Sequence, residues 1–264
     1  MKTKKELVAA FARNDEEKTL LAALLDKQDA AQNRGVPASS KFLSPEMQVI
    51  AGRMLEHIKA DFILYGGSRG AERAVVCFLP EWADESHLTG DESPVAAIKA
   101  TFKTDRELSH RDFLGSLMGL GLQREAVGDI LLLDGCCYIA VLREVAPFVL
   151  QNMTSAGRVS LQLEQIDLCD LPEREIKFET RRDSVMSMRL DGVVAAAFNV
   201  SRSTAEEMIK AGRVSLDHLE CLKGDKTVAS GSIISVRGLG KVQIVETGTT
   251  SRRGRIGIEV KKFV

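Results

Sequence analysis

The sequence predicts an α+β chain in three parts, and three observations carry that prediction. Apolar residues recur at helical spacing through the first sixty positions. From Asp61 the period shortens to that of strands, and from Val95 the elements follow the order β-α-β-β-α-β. Near the C-terminus, two short helical patterns precede a set of brief β-like runs.

Residues 1–60 form the helical part. Glu16–Asn33 places Leu20, Leu21, Leu24 and Leu25 on one side, and Asn33-Arg34-Gly35-Val36-Pro37 breaks it. Ser44-Pro45-Glu46 starts another helix, with serine as cap and proline at the first helical position. Met47, Ile50, Ala51, Met54 and Leu55 then repeat every three or four residues. This layer reads as structural packing or as an interaction surface for a protein partner.

Residues 61–172 form the central part. Phe62–Tyr65 and Ala74–Leu79 read as strands joined by Gly66–Arg73. Val95–Phe102 is a strand, His110–Leu120 a helix, and Asp129–Leu133 with Cys136–Leu142 a hairpin across Asp134-Gly135. Glu144–Ser155 is a second helix and Val159–Ile166 the last strand. That order is the split ferredoxin-like, or RRM-like, α/β sandwich, which RNA-binding modules share with proteins that bind none. Residues 173–184 mix both charges and read as a solvated linker.

The last part, 185–264, opens with the apolar helical pattern Arg189–Phe198. Ser201–Gly212 comes next as a helix with its own start and stop. Ser201 or Ser203 can cap it, Ser203 and Glu206 have capping-box spacing, and Gly212 sits where a left-handed residue ends a helix. Arg213–Leu216, Thr227–Val228 and Ile233–Arg237 are the β-like runs of a small curled sheet.

Charge divides along the same line. The chain as a whole carries -1, but residues 185–264 hold 13 basic and 8 acidic side chains while the remainder holds 23 and 29. A basic end on an acidic body suits contact with RNA through that end. Hydrophobic content of 44% and charged content of 28% are ordinary for a globular protein. Cys77, Cys136, Cys137, Cys169 and Cys221 follow no paired spacing, and the four histidines lie far from them in sequence, so no metal site is expected. Free thiols and the lack of a signal-peptide pattern lead to an expectation of the cytoplasm. No apolar run approaches the ~20 residues of a membrane span.

Two central motifs invite a chemical reading. Gly66–Arg73 could cradle phosphate with its amides, helped by Arg69 and Arg73. It lacks the Gly-x-x-x-x-Gly-Lys-Ser/Thr pattern and a helix after it, which favours a β-turn with an Arg/Glu brace. His110-Arg111-Asp112 starts like a kinase catalytic loop, but Leu117 stands where a magnesium-binding Asn belongs and no Asp-Phe-Gly comes after it. Gly115, Gly119 and Gly121 would let that helix lie close against a backbone or sheet.

In the last part, Arg202, Lys210 and Arg213 flank the second helix, and Arg237 and Lys241 leave the last strand beside Gly238 and Gly240. Cations next to helix-start amides form a phosphate-binding face. The residues Arg189, Leu190, Asp191, Ser201, Arg202, Ala205, Ile209, Gly212, Val214, Val228, Gly231, Ile234 and Val236 resemble the RNA-binding domain named after small-subunit ribosomal protein S-four. Two turns depart from it: Leu216-Asp217 replaces Val-Asn, and Gly231-Ser232 replaces Gly-Asp.

From about Asp61 onward the chain also resembles the bacterial YlmH family. The likeness rests on Gly66-Gly67 with Ala71-Glu72-Arg73, on the long run His110–Ile130, and on Ser251-Arg252-Arg253-Gly254-Arg255. The resemblance implies a non-catalytic, cofactor-free factor that acts on ribosomal RNA and tRNA of obstructed large ribosomal subunits. Its implied RNA contacts are Arg189, Ser201, Arg202, Ser203, Lys210, Arg213, Arg237, Lys241, Arg252 and Arg253, with Arg69, Arg73, His110 and Arg111 as a second group. Two alternatives stand beside it: a division-linked interaction protein using its N-terminal helices, and an RNA-modifying enzyme. Against the enzyme, the only Arg-Leu-Asp here starts the small domain itself, and no nucleophile, base and orienter can be assembled.

Overall fold

The computed structural model describes residues 3–103, 108–250 and 254–264. Helices α1 (Lys4–Phe11), α2 (Asp15–Arg34) and α3 (Pro45–His57) form the first layer. The Asn14 side chain accepts from the Glu17 amide at 2.8 Å to start α2, and Gly35 ends it at φ 64°. Ser44 caps α3 ahead of Pro45, as its sequence predicts. The apolar stripes of α2 and α3 are buried, with Leu21, Leu24, Ala51, Met54 and Leu55 at or near zero exposure.

Between α2 and α3 lies a short strand, β1 (Ala38–Ser39), and after α3 come β2 (Ile63–Tyr65) and β3 (Val75–Phe78). These make an antiparallel sheet in the order β1-β3-β2, with Ala38 opposite Phe78 and Ile63 opposite Cys77. The expected border at residues 60–61 therefore runs through one sheet. Deleting residues 1–60 would strip β1 and buried Phe42 from this core, so it could not separate partner binding from folding.

The central elements are β4 (Val95–Thr101), α4 (His110–Gly119), β5 (Val127–Leu133), β6 (Cys136–Leu142), α5 (Ala146–Asn152), the small hairpin β7 (Ser155–Ala156) and β8 (Val159–Ser160), and β9 (Gln162–Ile166). The main sheet is antiparallel with order β5-β6-β4-β9, the ferredoxin-like arrangement read from the sequence. One face packs Ile98, Ile139 and Val141 against Phe113 and Leu117 of α4 and Val149 of α5. On the other, Val95, Ala97, Ala140 and Leu142 meet Phe42, Val75 and Cys77. Burial on both faces explains why β4 reads as a near-continuous apolar run rather than an alternating one. It also covers part of the face on which RRM-type modules stack bases.

Glycines of α4 do not act as expected. A Cβ placed on Gly115 or Gly119 would meet nothing within 4 Å, because both lie on the outer side of the helix. Close approach happens instead at Gly66, where a Cβ would fall 2.3 Å from the Ala71 Cβ and 2.7 Å from the Arg73 carbonyl oxygen.

The C-terminal part contains β10 (Phe178–Val185), α6 (Leu190–Phe198), α7 (Arg202–Lys210), β11 (Val214–Leu216), β12 (Leu219–Glu220), β13 (Ile233–Val236), β14 (Gly240–Thr250) and β15 (Ile256–Phe263). Its six-stranded sheet has the order β10-β15-β14-β13-β11-β12. Thr227 makes an isolated bridge to Arg189 rather than a strand. Most of the expected linker is a strand: β10 pairs with β15 from Phe178–Phe263 to Val185–Ile256. It is an edge strand whose charged residues face solvent, which removes the apolar alternation that would betray it. Two compact units result, one ending at Arg174 and the other spanning Glu175–Val264.

Within the first unit, Asp129 of β5 ties down the glycine loop. Its carboxylate accepts from the Glu72 amide at 2.7 Å and the Arg73 amide at 3.0 Å. The Asp129→Ala variant leaves two partly buried amides unpaired and should lose about 1–3 kcal/mol of stability, read as a lower urea midpoint. An unchanged midpoint would mean that water replaces the carboxylate without cost.

Candidate nucleic-acid interface

The C-terminal site is built on a buried charge. Asp191, at the second position of α6, is fully buried, although carboxylates rarely are. Its Oδ1 accepts from the Gly192 amide at 2.7 Å and from Arg189 Nε at 3.3 Å. Its Oδ2 accepts from Arg189 Nη2 and Arg202 Nη2, each at 2.9 Å. Burial pushes this carboxyl up, yet the hydrogen bonds from Arg189, Arg202 and the Gly192 amide outweigh burial and lower it from 3.8 to about 2.

Both arginines thus have one side fixed and the other outside: their side chains are 45% and 58% exposed while Asp191 is 1% exposed. The backbone around them is held too. Leu190 N–H donates to the Lys226 carbonyl at 2.8 Å, Asp191 N–H to the Gly224 carbonyl at 2.9 Å, and Val228 N–H to the Met188 carbonyl at 2.7 Å. This ladder brings the exposed Lys223 and Lys226 beside Arg189. Sequence reasoning missed these two lysines; their signal was the Lys223-x-x-Lys226 pair in a glycine-containing turn.

Asn199, at φ 54°, ends α6 and turns the chain into α7. Ser201 is the cap: its Oγ accepts from the Thr204 amide at 3.1 Å and lies 2.8 Å from the Ser203 hydroxyl. Ser203 therefore supports the cap rather than making it. Both serines and Arg202 are exposed at the helix start, beside Asp191.

The other expected cations fall elsewhere. Nine residues at 1.5 Å rise put the far end of α7 about 13 Å from its start. There Lys210 is 76% exposed and 3.9 Å from Glu206. Arg213 donates to the Arg237 carbonyl at 2.8 Å, which brings those two exposed residues together beside Gly238. Lys241 lies on the sheet, its Nζ 4.6 Å from the Phe263 ring centroid. Arg252 and Arg253 lie outside the described residues.

The two departures from the S-four pattern meet in space. Asp217 and His218 both have positive φ, 50° and 68°, in the turn between β11 and β12. The Asp217 carboxylate accepts from Ser232 Oγ at 3.0 Å and from the Ile233 amide at 2.9 Å. These hydrogen bonds tie the two departing turns to one another.

In the first unit the second group of expected contacts divides. Arg73 is half-buried and donates to the carbonyls of Phe42 and Val127, both at 3.1 Å, so its guanidinium holds the fold. Arg69 and Arg111 are exposed. His110, the first residue of α4, is held below its ordinary value by partial burial and then by the nearby Arg124. Among the described residues one metal-capable group occurs, Asp167, Cys169 and Asp170, all exposed in a single turn. No helix among them is long and apolar enough to cross a membrane.

Residues 96–170 match the family described as "Putative RNA-binding domain in YlmH", and residues 188–234 match the S4 domain. The chain is 32% identical over 227 residues to ribosome-associated protein quality control protein P2 of Bacillus subtilis (strain 168), covering 84% of this chain and 86% of that one. The chain belongs to the YlmH family. Among solved structures it is similar to cell division protein ylmH from Streptococcus pneumoniae, with TM-score 0.47 and 16% identity over 59% of this chain and 93% of that one. The two matched segments of this YlmH-family chain fall in separate compact units: the first within the four-stranded sheet and its helices, the second on α6, α7, β11, β12 and the start of β13.

The buried carboxylate sets a pH dependence. Because its folded-state pKa lies below the ordinary value of 3.8, its contribution to stability is complete above about pH 4 and is lost as pH falls toward 2. Asp191→Asn should therefore be less stable than the wild type at pH 7 by about 1–3 kcal/mol, with the gap in urea midpoints closing between pH 4 and pH 2. A gap that stays constant over that range would show that Asp191 does not act through its charge.

Proposed function

We propose that this chain is a non-catalytic factor that binds structured ribosomal RNA, and tRNA with it, on large ribosomal subunits in the cytoplasm. The reading extends to stalled subunits that still carry peptidyl-tRNA; the name of the Bacillus subtilis relative, a ribosome-associated protein quality control protein, supports only its ribosomal quality-control part. The observation that carries it is the Asp191 clamp, which presents Arg189 and Arg202 to solvent at the start of α7. Arginine held by one face keeps little freedom to lose on binding, and its remaining donors match phosphate oxygens. Exposed Lys223 and Lys226 extend the cationic surface, and the Ser201 and Ser203 hydroxyls supply further donors.

Such contacts recognise shape and charge rather than sequence, and their strength falls with salt as counterions are released. Sedimentation of a lysate through a gradient that resolves ribosomal subunits provides the test. The wild-type chain should travel with large subunits at low salt, and Arg202→Ala and Arg237→Ala should move it to the top. For the purified pair, each lost arginine should lower the slope of log affinity against log salt by about one. Migration only at the top, at low salt and in stressed cells alike, would overturn the ribosomal reading.

A further inference from the structure

The six-stranded C-terminal sheet has two faces. Val242, Ile244, Ile258 and Val260 point into the core shared with α6 and α7. Alternation sends their neighbours the other way. In β10, β15 and β14 these neighbours form rows fixed by register: Thr180, Lys261 and Gln243 in one, and Arg182, Glu259 and Val245 in the next.

At the end of this outer face lies an aromatic pair. Phe178 stands opposite Phe263, with ring centroids 4.8 Å apart at 65°. Lys241 places its ammonium 4.6 Å from the Phe263 centroid. Phe178 is 39% exposed, and Phe263 is partly so. Two phenylalanines on the outer side of a sheet add little to its core. Around them the cations Arg182, Lys241 and Lys261 outweigh the acid Glu259, which lies 3.7 Å from Lys261.

We propose that this outer face is a second RNA-binding surface, on which Phe178 and Phe263 stack a base of a single-stranded segment while Lys241, Lys261 and Arg182 follow its phosphates. It rests on the RNA-binding reading of the chain but uses a different face and a different physical contact from the arginines at α7. A sheet face with rings and cations side by side fits nucleotides, whose bases have apolar faces and whose backbone is anionic.

Fluorescence anisotropy with a labelled, unstructured uridine dodecamer tests this. Phe178→Ala and Phe263→Ala should each raise the dissociation constant about tenfold, because stacking is lost. The salt slope should stay unchanged, because no phosphate contact is removed. Phe178→Trp, which keeps a ring, should bind at least as tightly as the wild type, and it guards against loss of binding through misfolding. The proposal fails if the wild type does not bind the dodecamer, if both alanine variants bind it unchanged, or if Phe178→Leu binds as well as the wild type. If the phenylalanine variants are silent while Arg202→Ala still releases large subunits, the sheet face is wrong and the α7 reading stands.

Discussion

One buried carboxylate determines what the C-terminal unit can present. Asp191 is cut off from bulk solvent, so its charge is met by donors within the protein. The Gly192 amide meets part of it, and the remainder falls to Arg189 and Arg202, which come from different ends of α6 and its connection to α7. Breaking such a pair is costly, whereas the pair itself adds little net stability against an apolar replacement. A purely structural role would be served as well by an apolar side chain. What the carboxylate adds is orientation: two guanidinium groups held at a helix start with their outer edges in solvent.

Similar anchoring recurs where the family motifs of the first unit meet. The loop Gly66–Arg73 and the pair Gly128-Asp129 are far apart in sequence, yet Asp129 binds the amides of Glu72 and Arg73. Arg73 in turn satisfies carbonyls of Phe42 and Val127. These motif residues are tied to backbone groups, so their fixed spacing expresses the needs of the fold. Arg69 and Arg111, by contrast, are exposed.

The fold class was legible because periodicity and capping are local. The cap at Ser44, the alternation β-α-β-β-α-β and the pair of short C-terminal helices all appear where the spacing places them. Charged edge strand β10 was not legible, since its register depends on β15, which lies at the far end of the unit in sequence. For the same reason β1, only two residues long, could not announce that the first sixty residues share a sheet with β2 and β3. At the interface, the sequence marked Arg189 and Arg202 but could not show that Asp191 joins them, nor that the Lys223–Lys226 turn lies alongside. For Arg73 the sequence favoured a structural brace but could not name its partners, because these carbonyls belong to distant segments at Phe42 and Val127.

Ultraviolet cross-linking of the full-length chain to purified large ribosomal subunits, with mass spectrometry of the nucleotide-bearing peptides, tests the central claim most directly. Cross-links should concentrate on peptides spanning Arg189–Lys210 and Lys223–Thr227, and those at Arg189–Lys210 should diminish in the Asp191→Asn variant. Cross-links confined to residues before Arg174, unaffected by that variant, would contradict the Asp191-ordered arginines as the RNA contact.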